Sequence, residues 1–285
     1  MCSPSAASPT PRWCAACFRN DPAFQVVTEV EYGRLKKFGN HMQSEQLLVS
    51  VVVPAFNEEK RLPGTLARIR EAFKALPELA YEIIVCDNNS TDSTATVAKT
   101  AGCKVVFEPI NQISRARNQG ANAASGKWLL FIDADSWPSS ELICDMIPIL
   151  EGSEHIGCGS TIRVVDGPRW FKLAWESKNW SMRTFKWCPG AFILCRRDAF
   201  SQIGGFSKEY YIFEEMDFVN RLKAVGVRRG QKFIILNKHP FSTSGRKGSA
   251  YSIGSWLKFA LQLTLFHRKA VRDRRFAEKW YNVDH

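Results

Sequence analysis

The sequence of 285 residues lacks the features that mark membrane-spanning, secreted and nucleic-acid-binding proteins. It has no run of about 18 consecutive apolar residues, so no transmembrane helix is predicted. Residues 1–46 contain no apolar core of about 7–15 residues, which argues against a signal peptide. Zinc-finger, basic-zipper and RNA-recognition signatures are also missing, so a nucleic acid is not an expected partner.

Cysteine pairs with a regular spacing are missing as well. The nine cysteines are odd in number and irregularly spaced, and several lie inside apolar runs. One Cys-x-x-Cys, from Cys14 to Cys17, has neither a second pair nor a nearby histidine, so no zinc site is predicted. This usage is typical of reduced, buried thiols, and we therefore expect a cytoplasmic protein.

Acidic residues are in the minority. The 39 Lys and Arg exceed the 28 Asp and Glu, which gives a formal net charge of +11. Residues 246–280 alone contain nine Lys and Arg but two acids. A localised basic tail favours attraction to an anionic membrane surface, such as the inner face of a cell membrane, or to a phosphorylated substrate.

The patterning divides the chain into three segments. Residues 1–46 begin rich in Ser, Pro and Ala and show no sustained periodicity, which predicts a disordered leader. Residues 47–247 have a regular pattern of apolar and polar residues, which predicts one folded domain. Residues 248–285 contain an apolar segment from Trp256 to Phe266, followed by basic residues. This tail is interpreted either as amphipathic helices in a bilayer interface or as helices packed on the domain.

The pattern of residues 47–247 predicts an α/β fold. Apolar strands alternate with amphipathic helices, which indicates βαβ units in a Rossmann-like, mostly parallel sheet with helices on both faces. The predicted strands are 47–53, 81–86, 104–107, 128–132, 156–165, 191–195 and 232–236. The predicted helices are 62–76, 93–101, 114–125, 138–150, 170–186, 197–203 and 213–225. The aromatic-rich helix 170–186 is interpreted as core packing and a lid, with acceptor contact as the alternative.

The strand Trp128–Ile132 ends in two carboxylates, Asp133 and Asp135. Ligands of open α/β sheets bind beyond the carboxyl ends of the strands. Carboxylate oxygens suit Mg²⁺ or Mn²⁺, which the phosphates of a substrate would also bridge. The alternative is a turn in which the two acids only cap the next element of the chain.

Six ordered motifs within residues 48–247 resemble the family 2 glycosyltransferases, the inverting group with the GT-A fold. They are Val51–Glu58, with Phe56 where the family has Tyr, then Asp87–Asp92, Arg115–Gly120, the D-x-D motif Asp133–Asp135, Gly190–Phe206 and Glu214–Asp217. The resemblance implies a divalent metal, Mn²⁺ or Mg²⁺, and a nucleotide-diphosphate sugar as donor.

The same resemblance assigns the site residues. The donor-binding residues are Pro54, Phe56, Glu58, Val85, Asp87, Arg117, Asp133, Ala134 and Arg246. Asp135 is the metal ligand, with Asp133 sharing the contact. For Asp87, turn chemistry alone is the alternative. Arg246 belongs to the polar loop Ser242–Lys247, interpreted as a lid on the donor phosphates or as a solvated basic loop.

Inversion requires a base that takes the proton of the acceptor hydroxyl. The matching position is Glu215, at the start of a helix, where the family more often has Asp. Glu214 is the alternative base, and two acids that merely cap the helix are a third interpretation. His239 is considered as a further metal ligand, although a structural role is expected for it.

The acceptor is expected to be a sugar or lipid-linked hydroxyl, or a polyprenyl phosphate, whose anion would need no base. Two rival classes are a non-catalytic sugar-nucleotide binder of the same fold and a nucleotidyltransferase. The first is disfavoured because Asp133, Asp135 and Glu215 are all present. The second would be expected to show a glycine-rich loop after the first strand, and the first glycine there is Gly64.

Overall fold

The computed structural model of this chain describes residues 48–185, 187–188, 190, 192–250, 252, 254–256, 258, 261 and 271–277. The strands are β1 Leu48–Ala55, β2 Ala80–Asp87, β3 Lys104–Phe107, β4 Trp128–Ile132, β5 Ser136–Trp137, β6 His155–Val164, β7 Phe192–Arg196 and β8 Lys232–Thr243. The helices are α1 Leu62–Phe73, α2 Thr94–Thr100, α3 Ile113–Asn122, α4 Ser140–Asp145, α5 Ile147–Glu151, α6 Arg169–Phe185, α7 Arg197–Gln202, α8 Glu214–Arg228 and α9 Arg246–Ala250, with a 3₁₀ turn at Arg274–Ala277.

The strands form one mixed sheet in the order β3-β2-β1-β4-β7-β6-β8-β5. Strands β3, β2, β1 and β4 are parallel neighbours, and β6 is parallel to β8. Strand β7 runs antiparallel to both β4 and β6, and β5 runs antiparallel to β8. The prediction of a mostly parallel sheet is therefore confirmed. The direction of β7 was not predictable, because an apolar run reports burial and not direction.

Helices cover both faces of the sheet, as predicted. Successive side chains of a strand point to opposite faces, and β1 shows this alternation. Val51 and Val53 pack in the core that includes Leu66 of α1, whereas Val52 packs in the core that includes Ala121 of α3. Each face of β1 is therefore buried, which explains its unbroken apolar sequence.

Two predicted elements differ from the structure. The helix predicted for residues 138–150 divides into α4 and α5, with Pro148 in the first turn of α5. Proline has no N–H to continue the helical ladder, so α4 ends before it. The strand predicted at 232–236 continues to Thr243, because its end pairs with β6 and β5. The predicted loop Ser242–Lys247 is thus partly strand, and Arg246 begins α9.

The two ends of the chain are described incompletely. The predicted leader, residues 1–46, lies outside the described residues, as does most of the predicted amphipathic segment Trp256–Phe266. None of the helices within the described ranges combines the length and apolar character needed to cross a bilayer. The six cysteines in the described part of the chain are free thiols.

Gly120 allows close packing of α3 on β1, and replacing it should destabilise the fold. An added Cβ would lie 2.4 Å from Cγ1 of Val52. We expect Gly120→Ala to lower the free energy of unfolding by about 1–3 kcal/mol in urea titrations. Gly64→Ala in α1 is the matched control, because no atom lies within 4 Å of its Cβ position. That variant should gain stability, by up to about 1 kcal/mol, and equal losses in both would contradict this account of the packing.

Candidate active site

Three neighbouring parallel strands place acidic residues along one edge of the sheet. In the pairing of β1 with β2, Ala55 lies opposite Asp87, and β4 pairs with the other side of β1. Glu58 follows the end of β1, Asp87 ends β2, and Asp133 follows β4. This carboxyl edge is where open α/β sheets bind their ligands.

The loops after β1 and β2 are tied together by hydrogen bonds. The N–H of Asn57 donates to Oγ of Ser90 over 3.0 Å, and the N–H of Glu58 donates to Oγ1 of Thr94 over 2.8 Å. Asp87 accepts the N–H of Ser90 at its Oδ1, also over 3.0 Å. The turn role considered for Asp87 is therefore present, and it fixes the carboxylate at the end of β2.

The other residues predicted in the donor site lie at different depths. Pro54 is buried in its pairing with β2, and Val85 is fully buried. Ala134 is 5% exposed, and its carbonyl accepts a hydrogen bond from Oγ1 of Thr65 over 2.7 Å. These three residues form the floor beneath the loops. Phe56, in the loop after β1, is half-buried.

Arg117 of α3 is the centre of a buried ion cluster. Its side chain is 1% exposed, Nη1 donates to Oε1 of Glu214 over 2.9 Å, and Nη2 donates to Oδ1 of Asp133 over 2.9 Å. Nη1 also lies 3.3 Å from Oε1 of Glu215, and the guanidinium stacks 5.2 Å from the ring centre of Phe206. Burial alone would lower the pKa of Arg117, but the three carboxylates raise it. Arg117 was predicted to contact the donor, and the structure places its side chain in the protein interior, paired with these three acids.

Glu214 and Glu215 have different environments although they are adjacent. The Glu214 side chain is 3% exposed, and burial, reinforced by the neighbouring Glu215 carboxylate, raises its pKa. The Glu215 side chain is 17% exposed. Gly190 leaves space for it, since a Cβ there would lie 2.5 Å from Oε1 of Glu215. Glu215 is therefore the carboxylate of the pair that reaches the accessible side of the cluster.

Arg246 makes a second ion cluster with acids from two motifs. Its Nη2 donates to Oε1 of Glu58 over 2.8 Å and lies 3.6 Å from Oδ2 of Asp135. Burial raises the pKa of Glu58, Arg246 acts to lower it, and the Asp135 carboxylate raises it further. Oδ1 of Asp135 accepts the hydroxyl of Ser136 over 3.0 Å. A cation from the chain thus already lies against the second acid of the D-x-D motif.

The acids of the D-x-D motif suit a divalent cation that is shared with a ligand. Among the described residues, no group of three or more His, Cys, Asp or Glu is arranged to hold a metal ion. Asp135 and Asp133 are two carboxylates that could hold such an ion if a phosphate ligand completed its coordination. The guanidinium of Arg246 against Asp135 shows that this position attracts positive charge. His239 pairs instead with Asp145 of α4, its Nδ1 lying 2.9 Å from Oδ2, which is the structural role expected for it.

A cavity of about 520 Å³ adjoins the second cluster. It is lined by Arg61, Asp166, Gly167, Ser244, Arg246, Ser249 and Ala250. Arg61 and Gly190 were not among the predicted site residues. The sequence around Arg61 contains no motif that indicates a site, and Gly190 is noticeable only as the first residue of the Gly190–Phe206 motif.

Comparison with known proteins gives the same family as the motifs. The family model described as glycosyl transferase family 2 matches residues 50–204. An uncharacterised glycosyltransferase of Mycobacterium bovis is 33% identical over 163 residues, which cover 55% of this chain and 71% of that protein. The dolichyl-phosphate beta-glucosyltransferase of Drosophila melanogaster is 36% identical over 104 residues, covering 32% of each chain.

The fold is also found among solved structures. The glucosyl-3-phosphoglycerate synthase of Mycobacterium tuberculosis, solved with Mn²⁺, uridine diphosphate and phosphoglyceric acid, superposes with a TM-score of 0.55. The match covers 84% of each chain at 20% sequence identity. This likeness confirms the GT-A fold predicted for the domain.

Removing Arg117 should leave buried carboxylates unpaired and destabilise the protein. We expect Arg117→Met to lower the free energy of unfolding by about 3–5 kcal/mol near neutral pH. Arg115→Met in the same helix is the control, because Arg115 is half-buried and its Nε donates to Oε1 of the nearby Gln112. Its loss should be below about 1 kcal/mol.

The pH dependence of the Arg117→Met loss gives a second check. A carboxyl group whose pKa is higher in the folded state favours folding at low pH, and that contribution is lost as pH rises. Arg117 acts to lower the pKa of Glu214 against the effect of burial, so Arg117→Met should raise that pKa further, and the loss of stability should be smaller at about pH 5 than at about pH 8. A loss that is equal at both pH values, measured by urea unfolding, would exclude Glu214 as the unpaired charge.

Proposed function

Because this chain belongs to glycosyl transferase family 2, we propose that it moves a sugar from a UDP- or GDP-linked donor to a hydroxyl or lipid-linked acceptor, with inversion. The Arg117 cluster is the observation that carries the proposal. It joins Asp133, from the D-x-D motif at the end of β4, to Glu215, from the start of α8. Donor-side and acceptor-side acids are thereby held on one rigid guanidinium.

The donor end of the proposed reaction lies at the carboxyl ends of β1, β2 and β4. Phe56 and Asp87 are proposed to hold the nucleoside, over the floor formed by Pro54 and Val85. Asp135, with Asp133, would hold Mn²⁺ or Mg²⁺. When bound, such an ion would neutralise the negative charge of the diphosphate leaving group. The synthase of Mycobacterium tuberculosis, which was solved with Mn²⁺ and uridine diphosphate, supports a divalent metal in this fold.

The acceptor end uses Glu215. Its carboxylate takes the hydroxyl proton while the acceptor oxygen forms a bond to the anomeric carbon. The bond from that carbon to the diphosphate breaks in the same step, and the nucleoside diphosphate leaves with the electron pair. Partial exposure of Glu215, beside the buried Glu214, supports this choice of base.

A polyprenyl phosphate is the second candidate acceptor. The cavity beside Asp135 is lined by two arginines, Arg61 and Arg246, whose guanidinium groups match phosphate geometry. The relative from Drosophila melanogaster is named as a dolichyl-phosphate beta-glucosyltransferase. A phosphate acceptor is already an anion, so Glu215 would then orient the acceptor and not deprotonate it.

A donor panel tests the proposal. We expect UDP- or GDP-sugars with Mn²⁺ to raise Tm. At a sugar-nucleotide concentration of about 100 times Kd, the free energy of unfolding should increase by about 2.7 kcal/mol. Asp135→Asn should lose the Mn²⁺-dependent part of the shift. Asp145→Asn is the matched control, since Asp145 pairs with His239 outside the site, and it should respond like the wild type. The proposal fails if no sugar nucleotide stabilises the wild-type protein.

The two adjacent glutamates separate the acceptor classes. With a hydroxyl acceptor, Glu215→Gln should keep the donor-induced shift and lose transfer by about 10²–10⁴-fold in kcat. Glu214→Gln should retain most of the transfer, because an amide oxygen can still accept from Arg117. With a polyprenyl phosphate acceptor the Glu215→Gln loss should be much smaller. If Glu214→Gln is the inactive variant, the base has to be reassigned.

A further inference from the structure

Helix α6 exposes two large apolar side chains on one face. Leu173 is 70% exposed and Trp180 is 62% exposed. Because they are seven residues apart, they lie two turns apart on the same side of the helix, about 10 Å from each other. A solvent-exposed leucine and tryptophan aligned in this way are not explained by packing within the domain.

The orientation of α6 is fixed from its opposite face. Asn179 donates from Nδ2 to the carbonyl of Ile162 over 2.7 Å and accepts the N–H of Ile162 at Oδ1 over 2.9 Å. Phe171 and Met182 are buried beside it. Since these contacts hold α6 on β6, the outward direction of Leu173 and Trp180 is a fixed property of the fold. The prediction of core packing for this helix is therefore correct for one face only.

Cations outnumber acids on helix α6. It contains four cations, Arg169, Lys172, Lys178 and Arg183, against one acid, Glu176, which lies between Leu173 and Trp180 on the exposed face. Arg169 lies one turn before Leu173, and Arg183 lies one turn after Trp180. Tryptophan favours the boundary between lipid headgroups and acyl chains, and Lys and Arg near an anionic bilayer contribute about 1 kcal/mol each. Two apolar side chains are too little for a stable protein interface.

The segment that leads into α6 borders the proposed active site. Asp166 and Gly167 line the cavity that Arg246 also lines. The N–H of Val165 donates to the carbonyl of Thr243 over 3.0 Å, which joins this segment to the end of β8. Trp256, where the apolar segment of the tail begins, lies 6.0 Å from the ring centre of Phe171. A surface bound through α6 would therefore lie next to the cavity.

We infer that the Leu173–Trp180 face of α6 docks on an anionic lipid bilayer and holds the cavity at the membrane surface. This inference rests on the proposed function, in that a lipid-linked acceptor would be presented from the bilayer. It places membrane contact on the catalytic domain itself, in addition to any contact by the basic tail.

Vesicle binding by the full-length chain tests the inference. We expect the protein to partition onto sucrose-loaded vesicles of phosphatidylcholine with phosphatidylglycerol, and weakly onto phosphatidylcholine alone. Leu173→Ser with Trp180→Ser should reduce the partition coefficient by about tenfold or more. Arg169→Gln and Arg183→Gln should each reduce it by about fivefold. Val227→Ser and Lys99→Gln are matched controls, because both residues are exposed on other helices, and they should bind like the wild type.

Donor-induced thermal shifts measured on the same variants keep the two proposals distinguishable. All variants should retain the shift with a sugar nucleotide and Mn²⁺, which shows an intact donor site. If no protein shows that shift, the proposed function fails while the vesicle result stands by itself. Wild-type binding by the Leu173→Ser, Trp180→Ser variant would overturn the inference, as would self-association of the wild type that this variant abolishes. If vesicle binding is lost only in a double variant of the tail, Arg272→Gln with Arg275→Gln, the membrane contact belongs to the tail and the inference is wrong.

Discussion

The organisation of the site depends on one buried guanidinium. Arg117 is inaccessible to solvent, and a buried cation is tolerated only where acids pair with it. Asp133 and Glu214 supply direct ion pairs, and they lie just after β4 and at the start of α8, far apart in the sequence. Because Arg117 belongs to α3, three separate elements are fixed by one side chain. The relative position of the D-x-D motif and the proposed base follows from that constraint.

The adjacent glutamates divide two tasks between them. Neighbouring residues of a helix point about 100° apart, so the start of α8 sends Glu214 into the protein and Glu215 towards the accessible side. Glu214 completes the charge balance of Arg117, and its raised pKa reports the cost of burial. Glu215 keeps 17% of its side chain exposed. A base needs to be accessible to its substrate, and Glu215 is the residue of this pair that combines partial exposure with an ion pair to Arg117.

The sequence was sufficient for the parts of the protein that are encoded locally. Apolar runs and helical periods located β1, β2, β4 and the helices between them, and the D-x-D motif identified the carboxyl edge of the sheet. Pairings over long distances were not accessible in this way. The sequence near Arg117 does not indicate its partner Glu214, and the sequence near Glu58 does not indicate Arg246. The apolar run of β7 does not show whether the strand is parallel or antiparallel to its neighbours. For α6, periodicity gave the helix, but which aromatic residues face outward depends on the two hydrogen bonds of Asn179.

Charge balance at the second cluster gives a physical reason for the proposed metal and donor to bind together. Glu58 and Asp135 carry two formal negative charges, which are balanced by Arg246 and by Arg61, whose Nη1 lies 3.8 Å from Oε2 of Glu58. A divalent cation alone would give the cluster an excess of two positive charges, and a diphosphate alone would give it an excess of two negative charges. Added together, they leave the formal charge as it is in the free protein. In the proposed complex, the guanidinium of Arg246 could pair with a phosphate oxygen in place of a carboxylate. Arg246 would then have a negatively charged partner both in the free protein and in the complex.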